Sequence, residues 1–138
     1  MAQLLILEDN LQRIESFREV APQLDIGEPM IWSNATEMIV ALNERLQDAR
    51  LISLDHDLYP RENDATVDAG DGLMVAKALA GAEPRCPVII HSSNAIRADW
   101  MQGELEAAGW RATRILPFGD DWLTREWVTV AKNLLAEQ

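Results

Sequence analysis

"LISLDHDL", residues 51–58, is an apolar run that stops on Asp55-His56-Asp57. Leu51–Leu54 has the length and composition of a strand buried on both faces, the kind that parallel sheets use. Such a strand ending on two carboxylates around an imidazole admits four readings: a metal site, a phosphorylation site, an acid–base centre, or an ordinary loop start. What the rest of the chain brings to the same place decides between them.

Working outward, the same grammar repeats. Leu4–Leu7 is an apolar run ending in Glu8-Asp9, and residues 10–21 follow with helical spacing (Leu11, Ile14, Phe17, Val20) before Pro22. Residues 29–32 read as a second strand. Ser33 or Asn34 caps a helix whose apolar stripe is Met38, Ala41, Leu42 and Leu46. After the third strand, residues 55–70 are polar and acidic, a loop, and Asp71-Gly72 opens a helix through about Leu79 that closes near Gly81. Residues 87–90 are a fourth strand, ending in His91-Ser92-Ser93-Asn94. A helix over 96–108 with a glycine C-cap at Gly109, a weaker strand over 112–116 and a helix over 121–136 complete the chain. The expected inner face of that last helix is Trp122, Val128, Ala131, Leu134 and Leu135. Five strands alternating with helices predict an α/β fold: a (βα)5 parallel sheet covered on both sides, with residues 1–138 as one domain. In such a sheet ligands bind beyond the carboxyl ends of the strands. Glu8-Asp9, Asp55-His56-Asp57 and His91–Asn94 all lie there, and they include both histidines of the protein.

Composition narrows the function. The 138 residues hold 48% hydrophobic side chains, enough for a core, and 12 Lys+Arg against 23 Asp+Glu give a net charge of −11. That excess of acid argues against tight non-specific nucleic-acid binding, which depends on neutralising phosphates with basic residues. It leaves room for a small phosphorylated ligand or an RNA end held through a metal. MAQLLILEDN has no basic lead and only a short apolar stretch, so it does not read as a signal peptide, and nothing approaches the roughly 20 apolar residues of a membrane span. The single Cys86 excludes an internal disulfide and fits a reducing, cytoplasmic setting; before Pro87 it reads as a small core filler.

At these residues the chain resembles the receiver domains of two-component signalling over nearly its whole length. Glu8 and Asp9 match the acidic pair after strand one, Asp55 the phosphoacceptor after strand three, and Ser92 in "PVIIHSSNA" the hydroxyl after strand four. "ILPF" keeps Pro117 and Phe118 of the Lys-Pro-aromatic element after strand five, but Leu116 stands where the Lys belongs, and leucine cannot contact a phosphorylated side chain. Two imidazoles appear instead. The combination Asp55–Leu58, Gly70-Asp71-Gly72 and His91–Asn94 resembles a divergent branch, the cyclic-phosphate processing receiver domains. The resemblance implies a receiver/flavodoxin-like sheet of strand order 2-1-3-4-5. It also implies action on a cyclic phosphate, for instance the 2′,3′-cyclic end of RNA. The alternative is a non-catalytic receiver that acts in signalling through protein–protein contact, or one phosphorylated on Asp55.

Each candidate has two readings. Glu8, Asp9, Asp55 and Asp57 repel one another unless a cation sits among them, and Mg2+ suits an all-oxygen site; the plain reading is a solvated acidic rim. His56 and His91 suit general acid and base work near neutral pH, with Ser93 and Asn94 hydrogen-bonding phosphate oxygens; the plain reading is two satisfied structural histidines. Side-chain alternation predicts Asp55, Asp57 and Ser92 on one side and His56, His91 and Ser93 on the other, so that the imidazoles face each other beside the carboxylates. Asp71 is expected as a helix N-cap. Glu62, Asp64 and Asp68 are expected in a solvated loop, long enough to serve as a lid. Arg61 and Arg97 are read as surface charges with phosphate anchoring as the alternative. Of the five tryptophans, Trp32 lines the pocket or stacks on a base; Trp100, Trp110, Trp122 and Trp127 pack or face a partner. The oligomeric state is open.

Overall fold

The computed structural model describes residues 3–59 and 69–138; Arg61, Glu62, Asp64, Asp68 and the lid reading fall outside the described residues. Five strands form one parallel sheet: β1 (Leu4–Leu7), β2 (Met30–Trp32), β3 (Leu51–Leu54), β4 (Val88–Ile90) and β5 (Ala112–Arg114). Their lateral order is β2-β1-β3-β4-β5, as the resemblance implies. Pro29 and Pro87 stand outside the strands they were expected to begin. Proline has no N–H to give to a ladder, although the Pro87 carbonyl still accepts from the Ile52 amide at 3.2 Å. β5 ends at Arg114, short of Leu116; one further ladder bond, Ile115 N–H to Ile90 O at 2.9 Å, carries the chain off the sheet.

Four of the helices start on a short polar side chain just past a strand or loop. Asn10 caps α1 (Leu11–Val20), Asn34 caps α2 (Ala35–Arg45), Asp71 caps α3 (Gly72–Ala80) and Asn94 caps α4 (Ala95–Ala107). In every case the side-chain oxygen accepts the amide three residues on, at 3.0–3.2 Å, which satisfies one of the amides a helix leaves unpaired at its start. Gly109, at φ +90°, ends α4 in the left-handed region as expected. The last helical segment begins differently from the prediction: a wide π-type turn over Leu123–Trp127 leads into α5 (Val128–Ala136). The wide turn buries both Leu123 and Trp127.

The sheet separates two apolar layers. Leu5, Leu7, Ile52, Leu54, Val88 and Ile90 face α2, α3 and α4, while Leu4, Ile6, Leu51 and Ile89 face Phe17 and Val20 of α1 and Ala131 and Leu134 of α5. Cys86 is a buried free thiol in the first layer. Among the described residues no helix is long and apolar enough to cross a membrane.

α3 is pressed against the end of β3. A Cβ on Gly72 would lie 2.0 Å from the Asp55 carbonyl oxygen and 2.8 Å from the His56 Cα, and the Gly72 amide donates to the His56 carbonyl at 2.9 Å. Two of the obstacles are backbone, which cannot turn aside. Gly72→Ala is therefore expected to cost roughly 3 kcal/mol, at the upper end of overpacking effects, and to lower the melting temperature by about 10 °C. A thermal melt checks this, and a loss of only a degree or two would contradict so close an approach.

Candidate functional site

The ladder runs one residue beyond the strands. Leu7 pairs with Leu54 and Leu54 with Ile90, and the amides of Glu8, Asp55 and His91 continue the bonding to Trp32 O, Leu7 O and Leu54 O at 2.9–3.1 Å. Glu8, Asp55 and His91 thus form one lateral row on the face that packs against α1 and α5, two residues on from Ile6, Ser53 and Ile89. His56, next along the chain, lies against the start of α3 on the opposite face. This corrects the expected pairing: Asp55 shares its row with His91, not with Ser92, and the two imidazoles do not face each other.

Three carboxylates converge in this row and beside it. Oxygens of Glu8, Asp9 and Asp55 lie within 4.8 Å of one another. They open into a cleft of about 400 Å³, lined also by Asn10, Arg13, Asp57, Tyr59 and Ser93. Glu8 is fully buried, and its oxygens are committed. Oε2 accepts the amides of Asp9 and Asn10 at 3.0 and 3.1 Å, and Oε1 accepts from His91 Nε2 at 3.1 Å. Burial pushes its pKa up, but the hydrogen bond from His91, the Asn10 amide and the Arg13 charge outweigh that and hold it below the ordinary value. Asp9 Oδ2 accepts the Tyr59 amide at 2.7 Å; burial, only partly offset by that amide, raises its pKa, and the Glu8 charge adds to the rise. Asp55 Oδ1 accepts the His56 amide at 2.7 Å. Burial first and the Glu8 charge second push Asp55 up to about 8, against the His56 amide and Arg13.

Among the described residues, the cation nearest this cluster is one the sequence reading passed over. Arg13 Nη1 lies 3.6 Å from Glu8 Oε1 and 3.8 Å from Asp55 Oδ2, with its guanidinium 5.4 Å from the Trp122 ring centroid. A basic residue in the first turn of a helix opposes the macrodipole. That misplacement, one turn after an acidic pair, was the available signal. Burial and the Glu8 charge keep Asp55 raised in spite of this guanidinium. The remaining donor set is entirely hard oxygen, with oxygens of Asp9 and Asp55 turned to the cleft, and it fits Mg2+.

Asp57 departs from the expected ligand set. It is absent from the three-carboxylate cluster; its Oδ1 accepts from His56 Nδ1 at 2.8 Å, and Asn94 Nδ2 approaches both its oxygens at 3.4 and 3.5 Å. Because a carboxylate only accepts, His56 carries its proton on Nδ1. His56 Nε2 is buried and without a hydrogen-bond partner among the described residues. The Asp71 carboxylate, 3.8 Å away, is within range of charge but beyond a hydrogen bond.

His91 occupies a different setting. It is 0% exposed, stacked on Trp122 (centroids 5.9 Å apart, 24° between planes) and tilted against Phe17 at 5.2 Å. Its Nδ1 meets Ser53 Oγ at 2.6 Å, and Ser53 Oγ in turn accepts from Trp127 Nε1 at 3.0 Å. No substrate reaches a side chain so enclosed, so His91 is not one half of an acid–base pair. Ser53, a lone polar residue inside "LISL", was the missed signal for this network.

The other candidates sort by burial. Ser92 is buried, and its Oγ accepts the Asn94 amide at 3.1 Å; Ser93 is exposed at the rim of the cleft. Asn94 spends its Oδ1 on the α4 cap. Leu116 is 56% exposed, an apolar surface where the resemblance expects an ammonium. Arg97 lies over Trp100 at 4.3 Å. Trp110 is buried, with its indole N–H on the Leu79 carbonyl at 2.9 Å. Trp32 is half-buried and packs on the α2–α4 layer.

A 2-1-3-4-5 parallel sheet with acidic residues gathered at the ends of β1 and β3 defines a receiver-type domain. Solved structures agree. The BeF3-activated DrrB receiver domain aligns over 100% of this chain and 99% of its own, at 14% identity and a TM-score of 0.67. The NtrX receiver domain from Brucella abortus aligns over 98% and 99%, at 20% identity and 0.65. The phosphorylated cyanobacterial phytochrome response regulator RcpA aligns over 98% and 94%, at 19% and 0.67. At such identities the likeness is one of fold. The profile of the cyclic-phosphate processing receiver domain matches residues 4–107, and the chain belongs to that family. No functionally curated protein matches it in sequence.

The raised Asp55 pKa has a consequence for stability. Its folded value lies above the ordinary 3.8, so the folded protein holds a proton that the unfolded chain releases. The stabilisation from this group is full below about pH 4 and lost as pH rises through about 8. Asp9 acts in the same direction and Glu8 in the opposite one. In chelator, Asp55→Asn is expected to flatten the decline between pH 4 and 8 and to raise the melting temperature near pH 8 by about 5 °C. Thermal melts across that range decide it: an Asp55→Asn profile parallel to wild type would contradict the assignment.

Proposed function

We propose that this chain hydrolyses a cyclic phosphate in the Glu8/Asp9/Asp55 cleft with the help of a divalent cation, Mg2+ in the first instance. The observation that carries the reading is the convergence of three carboxylates on a cleft whose wall also bears Asp57, backed by His56. Membership of the cyclic-phosphate processing family supports the substrate class. The cleft volume suits a nucleotide-sized ligand, such as a 2′,3′-cyclic nucleotide or a cyclic-ended RNA. The net charge of −11 makes capture of bulk nucleic acid unfavourable. In this reading the protein works as a single cytoplasmic domain on a small phosphorylated ligand.

A divalent cation here would be held by Asp9 and Asp55, and would supply charge neutralisation at the phosphate and a more acidic water. Arg13 contacts phosphate oxygens from the opposite side, and the exposed Ser93 hydroxyl donates to them. The water oxygen bonds to phosphorus while one ring P–O bond breaks. Asp57 takes the water proton and returns one to the departing sugar oxygen, leaving a phosphomonoester. His56 Nδ1–H fixes the Asp57 carboxylate through both transfers, and Asn94 holds it from the other side. His91 takes no part in proton transfer.

The test is a screen of 2′,3′-cyclic mononucleotides and cyclic-ended oligoribonucleotides with and without Mg2+ or Mn2+. Ring opening is expected with metal and not with chelator. Asp57→Asn should lower kcat about 100-fold or more, within the range for general acid–base groups, and His56→Ala about tenfold or more. Turnover indifferent to both substitutions would sink the mechanism. A second reading, a non-catalytic receiver that docks a partner protein, is favoured by Leu116 and Phe118, 56% and 82% exposed in the segment after β5. A protein that binds Mg2+ and opens none of the cyclic phosphates would point there.

A further inference from the structure

Behind the cleft, four buried groups are linked from the π-type turn before α5 to the end of β1: Trp127 Nε1 to Ser53 Oγ at 3.0 Å, Ser53 Oγ to His91 Nδ1 at 2.6 Å, and His91 Nε2 to Glu8 Oε1 at 3.1 Å. Trp127, Ser53, His91 and Glu8 are each 0% exposed, so water cannot stand in for a missing partner. The direction of the chain follows from donor and acceptor inventory. An indole N–H only donates, so it occupies a lone pair of Ser53 Oγ. A carboxylate only accepts, so His91 Nε2 bears a hydrogen. The Ser53 hydroxyl hydrogen then has His91 Nδ1 as its acceptor at 2.6 Å. With His91 as the Nε2–H tautomer every donor is used once; with Nδ1–H, a lone pair would face the Glu8 carboxylate.

We propose that Ser53 and Trp127 are positioning residues for the carboxylate cleft: they hold His91 as its Nε2–H tautomer, and His91 holds Glu8 turned inward, which leaves Asp9 and Asp55 to meet the cation. Glu8 is then a fixed counter-anion behind the site. The three hydrogen bonds on its two oxygens agree with that division. The inference rests on the cation-dependent reading above for its consequence, though not for the relay itself. It explains a polar Ser53 inside a buried strand, and a histidine fully enclosed in an aromatic cage of Phe17 and Trp122.

The test uses the full chain, 15N-labelled, with imidazole 15N–1H spectra and calorimetric titration of Mg2+. Wild type should show His91 as a single Nε2–H tautomer with a hydrogen-bonded Nδ1 acceptor. Ser53→Ala should give mixed tautomers and weaken Mg2+ about tenfold, in the range typical of groups that orient metal ligands. Ser53→Thr, which keeps the hydroxyl, should restore both; Trp127→Phe should fall between. A merely structural role would lower the melting temperature of these variants without moving tautomer or affinity, and that result would overturn the proposal. So would a wild-type Nδ1–H tautomer. A wild-type protein that binds no Mg2+ would overturn the cation-dependent reading, while the tautomer and its dependence on Ser53 would still decide the relay.

Discussion

Two adjacent parallel strands that both end in acid force like charges together, because the 2-1-3-4-5 order sets β1 beside β3 and the ladder keeps Glu8 level with Asp55. The rest of the site answers that crowding. Glu8 is neutralised in place by two backbone amides and an imidazole. Asp9 and Asp55 each receive one amide, and Arg13 spans Glu8 and Asp55 from α1. These contacts are enough to hold Glu8 ionised but leave Asp55 raised to about 8. A divalent cation between Asp9 and Asp55 would take the place of the proton that Asp55 otherwise keeps.

The sheet also divides the labour of the two histidines. On the α1/α5 face, His91 is walled in by aromatic rings and has both nitrogens engaged; its role is to orient. On the other face, His56 has one nitrogen on Asp57 and one without a hydrogen bond among the described residues. It touches the cleft only through that carboxylate, which lines it. An imidazole that steadies a half-exposed carboxylate can support proton transfer at a phosphate; one sealed under Trp122 cannot.

Much of this was legible in the chain. Apolar runs of three or four residues separated by helical stripes specify buried parallel strands, and Asn10, Asn34, Asp71 and Asn94 mark helix starts by their capacity to cap. The rule that ligands gather at strand carboxyl ends then identifies Glu8, Asp9 and Asp55 as neighbours. The side-chain pairing was not legible. Aligning Ser92 with Asp55 shifts β4 by one residue against β3, and with a period of two a single step turns every side chain to the other face. Ser53 looked like part of an apolar run because a strand pattern does not say what stands opposite a polar residue. Arg13 was passed over because helix position does not give reach.

The sequence by itself determined the elements, their alternation and the end of the sheet where acid collects, since these follow from local hydrophobic period, capping chemistry and the absence of an N–H on proline. Only the tertiary structure decided which groups meet. The lateral register aligned Asp55 with His91, and the packing of α5 brought the Trp127 indole to Ser53, 74 positions away in the chain. The α3 start, admitted so close only by Gly72, pressed onto His56. Those meetings depend on contacts between residues distant in sequence. Their free energy is the sum of burial and hydrogen bonding over the whole sheet, and no short stretch of the chain carries it.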